Sequence, residues 1–202
     1  ENFPDLSKYD EIAIDLETKD PDLMKMGSGS IVGKGDVVGI AVAVEGWSGY
    51  YPIAHEGGGN MSRVKVLKWF QGVLDTPADK IFHNAMYDVC WIRALSLNIN
   101  GKIIDTMIAS ALVDENQIRY DLNSCAKRYT GKGKNESDLY QAAKDWGVDA
   151  KAEMYKLPAI YVGAYAEADA EITLQLWKEL KKEIDHQDIN SIFDMETELF
   201  PC

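Results

Sequence analysis

The sequence predicts a single α/β domain, a mixed sheet of five strands with helices on both faces. Three observations carry this. The 202 residues are 46% hydrophobic, enough for one well-packed domain and marginal for two. Strand patterns rich in Val, Ile and aromatics come first, then strand and helix alternate, then helices run to the end. That order of elements fits one sheet covered on both sides. The chain shows no internal repeat and no low-complexity segment.

Each element has its own signal. The apolar alternation in "EIAIDLET" (11–18) predicts the first strand. "GDVVGIAVAVEG" (35–46) and "WSGYYPIAH" (47–55) predict two more, paired as a hairpin. "HEGGGN" (55–60) reads as a loop. Val64, Leu67, Phe70 and Leu74 recur at helical spacing in "RVKVLKWFQGVLD". "KIFHN" (80–84) predicts a fourth strand and "AMYDVCWIRALSL" (85–97) a helix with an apolar face. "KIIDT" (102–106) predicts a fifth strand leading into the helix "MIASALVDE". Leu122, Cys125, Ala126 and Tyr129 share a face in "RYDLNSCAKRYTG", where Gly131 is a stop signal. "ESDLYQAAKDWG" is a further helix ending at Gly147. A long helix is predicted from Pro158, a favoured starting residue, to about Asp185. The Trp residues are expected in the core.

Composition narrows the function. No run of 18 apolar residues exists, so no membrane span is predicted, and no leader pattern opens the chain. Cys90, Cys125 and Cys202 form neither a C-x-x-C nor an even framework, which points to a reducing, cytoplasmic setting. The net charge of −12 argues against a passive binder of phosphate backbones. Acids that hold divalent cations would reverse that local field. "GSGSIVGKGD" (27–36) is not a phosphate-binding P-loop. It has Ser28 where Gly is needed, Gly35 after Lys34 where Ser or Thr is needed, and a strand after it instead of a helix. It is expected to be a hairpin or surface loop. His83, alone near a strand end, reads as structural.

Three short motifs carry chemistry. Asp15 and Glu17 project from the same side of a strand, an arrangement that costs free energy once desolvated unless a cation compensates it. Asp88, in "FHNAMYD" (82–88), falls in the first turn of a helix after a strand end, where open α/β sheets place ligands. Tyr165 and Asp169, in "YAEADAEIT" (165–173), are four apart on a helix and share a face. Small residues at 164, 166, 168 and 170 leave room for a close approach.

The ordered set D-x-E-T, N-x-x-x-D, Y-x-x-x-D resembles the three signature motifs of the DEDDy group of the DnaQ-like 3′–5′ exonuclease superfamily. The likeness covers about residues 11–185. It is nearest to the proofreading domain of family A DNA polymerases of phage type, whose segments "IIDTMIASALVDE", "YDLNSCAKRYTG" and "METELFP" resemble. It implies a ribonuclease-H-like fold: a five-stranded mixed sheet flanked by helices. It also implies two divalent cations, Mg²⁺ or Mn²⁺. Asp15 would bridge both, Glu17 and Asp169 would complete one ion's site, and Asp88 would serve the other through water. Tyr165, whose phenol has an ordinary pKa of about 10, would orient the attacking water instead of deprotonating it. Thr18, Asn84 and Tyr87 would lie near the terminal nucleotide. Asp105 would support the ligands from behind, lie on the substrate side, or be a helix N-cap. The basic cluster Lys127, Arg128, Lys132 and Lys134 would track single-stranded backbone or form a solvated helix end.

The implied activity is release of nucleoside monophosphates from single-stranded or frayed DNA 3′ ends. The setting would be a bacterial or phage-infected host cytoplasm, with no membrane involved. Residues 186–202 would begin the connection to a covalently linked polymerase domain in a longer protein. The alternatives are an RNase D-type exoribonuclease and a catalytically silent docking domain.

Overall fold

A computed structural model describes residues 3–200. Cys202, the third cysteine of the sequence, lies outside them. The order is β1 (Glu11–Lys19), one-turn helices α1 (Leu23–Met26) and α2 (Gly29–Val32), β2 (Asp36–Val44), β3 (Trp47–Pro52), α3 (Arg63–Leu74), β4 (Asp79–Phe82), α4 (Ala85–Ala94), β5 (Ile103–Asp105), α5 (Thr106–Val113), α6 (Leu122–Thr130) and α7 (Ser137–Trp146). Two 3₁₀ turns, Met154–Lys156 and Ala159–Tyr161, then lead into α8 (Gly163–His186) and α9 (Asn190–Glu198). The sheet runs β3-β2-β1-β4-β5. β1, β2 and β3 pair antiparallel, and β4 and β5 join parallel, so the sheet is mixed as the sequence predicts.

Alternation along β1 divides the core. Ile12, Ile14 and Leu16 enter one cluster with Phe70 of α3 and Val89 and Ile92 of α4. Ala13 enters the other, with Ala41 and Ala43 of β2 and with Ala166, Ala170, Leu174 and Trp177 of α8. Asp15 and Glu17 follow Ala13 at the strand period of two, on the face that α8 covers. Alanine on both sides of this contact permits close packing of α8 on β1 and β2. The packing brings Tyr165 and Asp169 over the strand acids.

Three expectations need correction. The long helix starts at Gly163, not Pro158, because residues 158–162 close a tighter turn with Tyr161 N–H on Pro158 O and Val162 N–H on Ala159 O. Trp146 is not in the core: it ends α7 on the exposed side and rests against Tyr161 at 5.5 Å. The 27–36 segment is a surface segment that contains α2 and adjoins α1. Cys90 and Cys125 are free thiols. His83 is structural: its Nε2–H donates to Tyr120 O at 2.8 Å and its Nδ1 meets the Thr106 hydroxyl. Among the described residues, no helix is long and apolar enough to cross a membrane.

Lys80, fully buried in β4, is an unexpected anchor. Its ammonium donates to Thr76 O, Ala78 O and Asn100 O at 2.6, 2.7 and 2.8 Å. Burial pushes its pKa down to about 8, while the three carbonyls hold the proton in place. Lys80→Met would strand those carbonyls without a donor. The expected loss is about 3 kcal/mol of unfolding free energy, read from urea denaturation at pH 7. A loss under about 1 kcal/mol would mean that water replaces the ammonium.

Candidate active site

The parallel pairing of β1 with β4 covers only Glu11–Ala13 against Asp79–Ile81. Beyond it the two strands part, and the Leu16 N–H donates to Asp88 Oδ1 at 3.0 Å. This bond holds Asp88, in the first turn of α4, against the strand that carries Asp15 and Glu17. The turn before α4 is fixed by Asn84, which adopts the left-handed region at φ 66° and ψ 54°. Asn tolerates that conformation better than most residues.

Asp105 stabilises the same turn. Its carboxylate accepts from Asn84 N–H, Ala85 N–H and Met107 N–H at 3.0, 2.8 and 2.8 Å. It is buried and serves as the N-cap of α5. Of the readings open for Asp105, the cap is the one its contacts show directly. Its oxygens are taken up by backbone amides.

The four carboxylates form one electrostatic group. Burial pushes Asp15 up to about 7, and Asp169 adds to the effect. Burial also raises Glu17 well above its ordinary value, with Asp15 and Asp169 contributing. Burial and then Asp15 raise Asp88, against the opposing bond from the Leu16 amide. Asp169 is raised by burial, although Lys134 pulls it the other way. Asp88 and Asp169 are buried, whereas Asp15 and Glu17 are partly exposed, and Glu17 lines a cleft. Charge repulsion is therefore stored where β1, α4 and α8 meet.

Two lysines reach into this group. Lys134, in the loop between α6 and α7, donates to Asp169 Oδ2 at 2.5 Å and lies 3.5 Å from the Tyr165 hydroxyl. Lys151 donates to the Tyr165 hydroxyl at 3.1 Å and to Glu136 at 2.5 Å. The other three members of the basic cluster separate from Lys134: Arg128 pairs with Asp114, and Lys127 and Lys132 lie at the surface. Asp169 Oδ1 is buried without a partner. Burial and the surrounding carboxylates raise the Tyr165 phenol far above its ordinary pKa, so it stays a neutral hydroxyl.

The remaining motif residues line an adjoining cleft. Thr18, Asn84 and Tyr87 border it together with Glu17, Asp20 and Lys151. Its volume is about 790 Å³, within the several hundred to roughly 1,000 Å³ usual for a small-ligand site. The Tyr87 hydroxyl donates to Asp20 at 3.0 Å and lies 2.7 Å from the Thr18 hydroxyl, so Thr18 donates to Tyr87. A more enclosed cleft of about 380 Å³ beside α9 contains none of the motif residues.

Lys151 and Tyr50 are the site residues that sequence reasoning missed. The Tyr50 hydroxyl lies 2.6 Å from His55 Nε2, and His55 Nδ1–H donates to Leu157 O at 3.0 Å. Glu17 and Asp15 both act on the Tyr50 phenol, which burial raises first. Gly39, paired with Glu17, makes room: a Cβ there would lie 1.9 Å from the Tyr50 oxygen. The glycine in "VVGIA" was the available signal.

Among the described residues, no three His, Cys, Asp or Glu side chains are preformed as a metal cage. The donor set still suits a hard divalent cation. Mg²⁺ is usually held by one or two carboxylates together with water and substrate phosphate, not by an all-protein cage. The unpartnered Asp169 oxygen and the mutually raised carboxyls are a matching deficit of positive charge.

A family model described as 3′–5′ exonuclease matches residues 2–185. A DNA-directed DNA polymerase of Pseudomonas phage M6 is 36% identical over 94% of this chain and 29% of its own length. The DNA polymerase DpoZ of Salmonella phage PMBT28 is 30% identical over 98% of this chain and 31% of its own length. The chain thus spans less than a third of these relatives. In fold it is similar to Escherichia coli RNase D, with a TM-score of 0.66, 16% identity, and 96% of this chain and 44% of that one covered. It is also similar to Brucella melitensis NrnC with bound Mg²⁺, with a TM-score of 0.65, 18% identity, and coverage of 98% and 84%. These likenesses establish a ribonuclease-H-like fold. With most of its length inside the family match and its strands and helices in the corresponding fold, the chain belongs to the 3′–5′ exonuclease family of A-type DNA polymerases.

Proposed function

We propose that this domain removes nucleotides from DNA 3′ ends with divalent cations, as the proofreading unit of a DNA polymerase. The observation that carries the reading is the mutual electrostatic effect of Asp15, Glu17, Asp88 and Asp169 beside a cleft that Glu17 lines with Thr18, Asn84 and Tyr87. The polymerase relatives support DNA as substrate and a linked polymerase domain as partner.

The four carboxylates would hold the cations, Mg²⁺ or Mn²⁺. When bound, the ions would polarise the scissile phosphate and lower the pKa of water towards about 7. The chain's own groups do the remaining work. Tyr165, kept neutral, orients water through its hydroxyl, whose oxygen already accepts from Lys151. Tyr87 and Thr18 fix the wall on which the terminal nucleotide would rest. Asp105 holds the turn from which Asn84, Tyr87 and Asp88 project.

A 5′-labelled single strand tests this directly. With Mg²⁺ or Mn²⁺ it should shorten from its 3′ end in single-nucleotide steps, and excess chelator should stop the reaction. Loss from the 5′ end, or activity that survives chelation, would rule the proposal out. Much faster degradation of a matched RNA strand would favour the RNase D-type alternative.

A further inference from the structure

The loop between α6 and α7, "GKGKN", is built to aim one ammonium at the carboxylates. Gly131 ends α6 in the left-handed region at φ 71°. Gly133 passes so close to α6 that a Cβ there would lie 2.4 Å from Lys127 Cε and 2.9 Å from Asn123 Oδ1. The Lys134 N–H donates to that same Asn123 oxygen at 3.0 Å. With its backbone anchored, Lys134 extends inward and its side chain is only 11% exposed. Its Nζ lies 2.5 Å from Asp169 Oδ2. Lys151 differs: it is 47% exposed and is paired to Glu136. Lys134 is therefore the cation held most directly by an acid of the motif set.

We propose that Lys134 is the site's own counter-cation and sets its affinity for divalent metal. The inference rests on the metal-dependent reading given above. A fixed positive charge in contact with Asp169 repels a divalent cation that approaches the same carboxylates, and poor screening in the buried site strengthens that repulsion. It also offsets the mutual repulsion of the four acids. The free protein should then load metal weakly. The negative phosphate of a bound 3′ end would restore the balance, so full loading would follow substrate binding.

The test is calorimetric titration of Mn²⁺ into chelator-stripped protein without nucleic acid. Lys134→Met should bind Mn²⁺ about tenfold more tightly than wild type or better, because one opposing charge is gone. Its melting temperature without metal should fall, and the rise on adding Mn²⁺ should exceed that of wild type. Lys134→Gln, which keeps a donor to Asp169, should shift affinity the same way. It also provides the measurement if the Met variant fails to fold without metal. Lys134→Arg keeps the charge and should stay near wild type. Lys132→Met, at the surface of the same loop, should leave Mn²⁺ affinity unchanged. Equal or weaker binding by both neutral variants would overturn the proposal. A wild-type protein that takes up no Mn²⁺ would instead overturn the metal-dependent reading itself.

Discussion

Asp169→Asn should lower the turnover of a single-stranded DNA 3′ end by on the order of 10⁴-fold, which is about 5 kcal/mol of barrier. The substitution keeps the shape of the side chain and removes its charge. Asp169 receives the Lys134 ammonium on one oxygen and leaves the other, buried, without a partner. An amide cannot offer a cation the same anionic oxygen. Lewis-acid stabilisation that a cation held there would give the phosphate is worth several kcal/mol. The deficit should lie in kcat and leave KM within a few-fold, since the cleft of Thr18, Asn84 and Tyr87 is untouched. Tyr165→Phe makes a contrast. It removes a neutral hydroxyl and no charge, so about a 10- to 100-fold loss is expected, with the pH profile unchanged in shape. Single-turnover assays with both variants, checked for fold by circular dichroism, decide the matter. An Asn variant that keeps a tenth of wild-type activity would remove Asp169 from the proposed machinery.

Much of this site was legible because its parts obey local rules. The period of two in "IAIDLET" puts Asp15 and Glu17 on one face, and β1 places them there beside Ala13. The four-residue spacing of Tyr165 and Asp169 survives into α8. What was not legible depends on contacts between segments distant in sequence. Lys134 reads as one member of a solvated basic run until Asn123 and Gly133 fix the loop that carries it. Lys151 sits in an aperiodic stretch after α7, and its role follows only from the nearness of Tyr165 and Glu136. Lys80 alternates like an outward strand residue, yet its long stem folds back to three carbonyls. The helices α1 and α2 are four residues each, too short for any 3.6-residue period to register. The early start assigned to the long helix has a similar cause. Proline marks where a helical turn can begin but not whether that turn is 3₁₀ or α.

The metal-free protein should lose stability as pH rises through neutrality, opposite to the trend usual for proteins whose carboxylates are paired. The sign follows from the direction of the shifts. Asp15 moves from 3.8 up to about 7, and Glu17, Asp88 and Asp169 are raised too, so the folded state binds more protons than the unfolded chain across this range. A carboxyl raised in the folded state contributes stability that is complete below its unfolded pKa and is lost as pH passes its folded value. The window for Asp15 therefore runs from about pH 4 to just above pH 7, and its shift corresponds to about 4 kcal/mol. The four acids titrate as a group, so their contributions do not simply add. Urea denaturation in chelator should show unfolding free energy falling between pH 5 and 8. Asp15→Asn should flatten that slope and be the more stable protein at pH 8, because a neutral amide replaces the carboxylate that neutral pH forces to ionise. Saturating Mn²⁺ should reverse the order at pH 8, since the cation turns the same four charges from a liability into ligands. Stability that rises from pH 5 to 8 in chelator, with wild type above Asp15→Asn throughout, would mean that the carboxylates are already neutralised by Lys134 and Lys151. The deficit of positive charge on which the metal-dependent reading depends would then be absent.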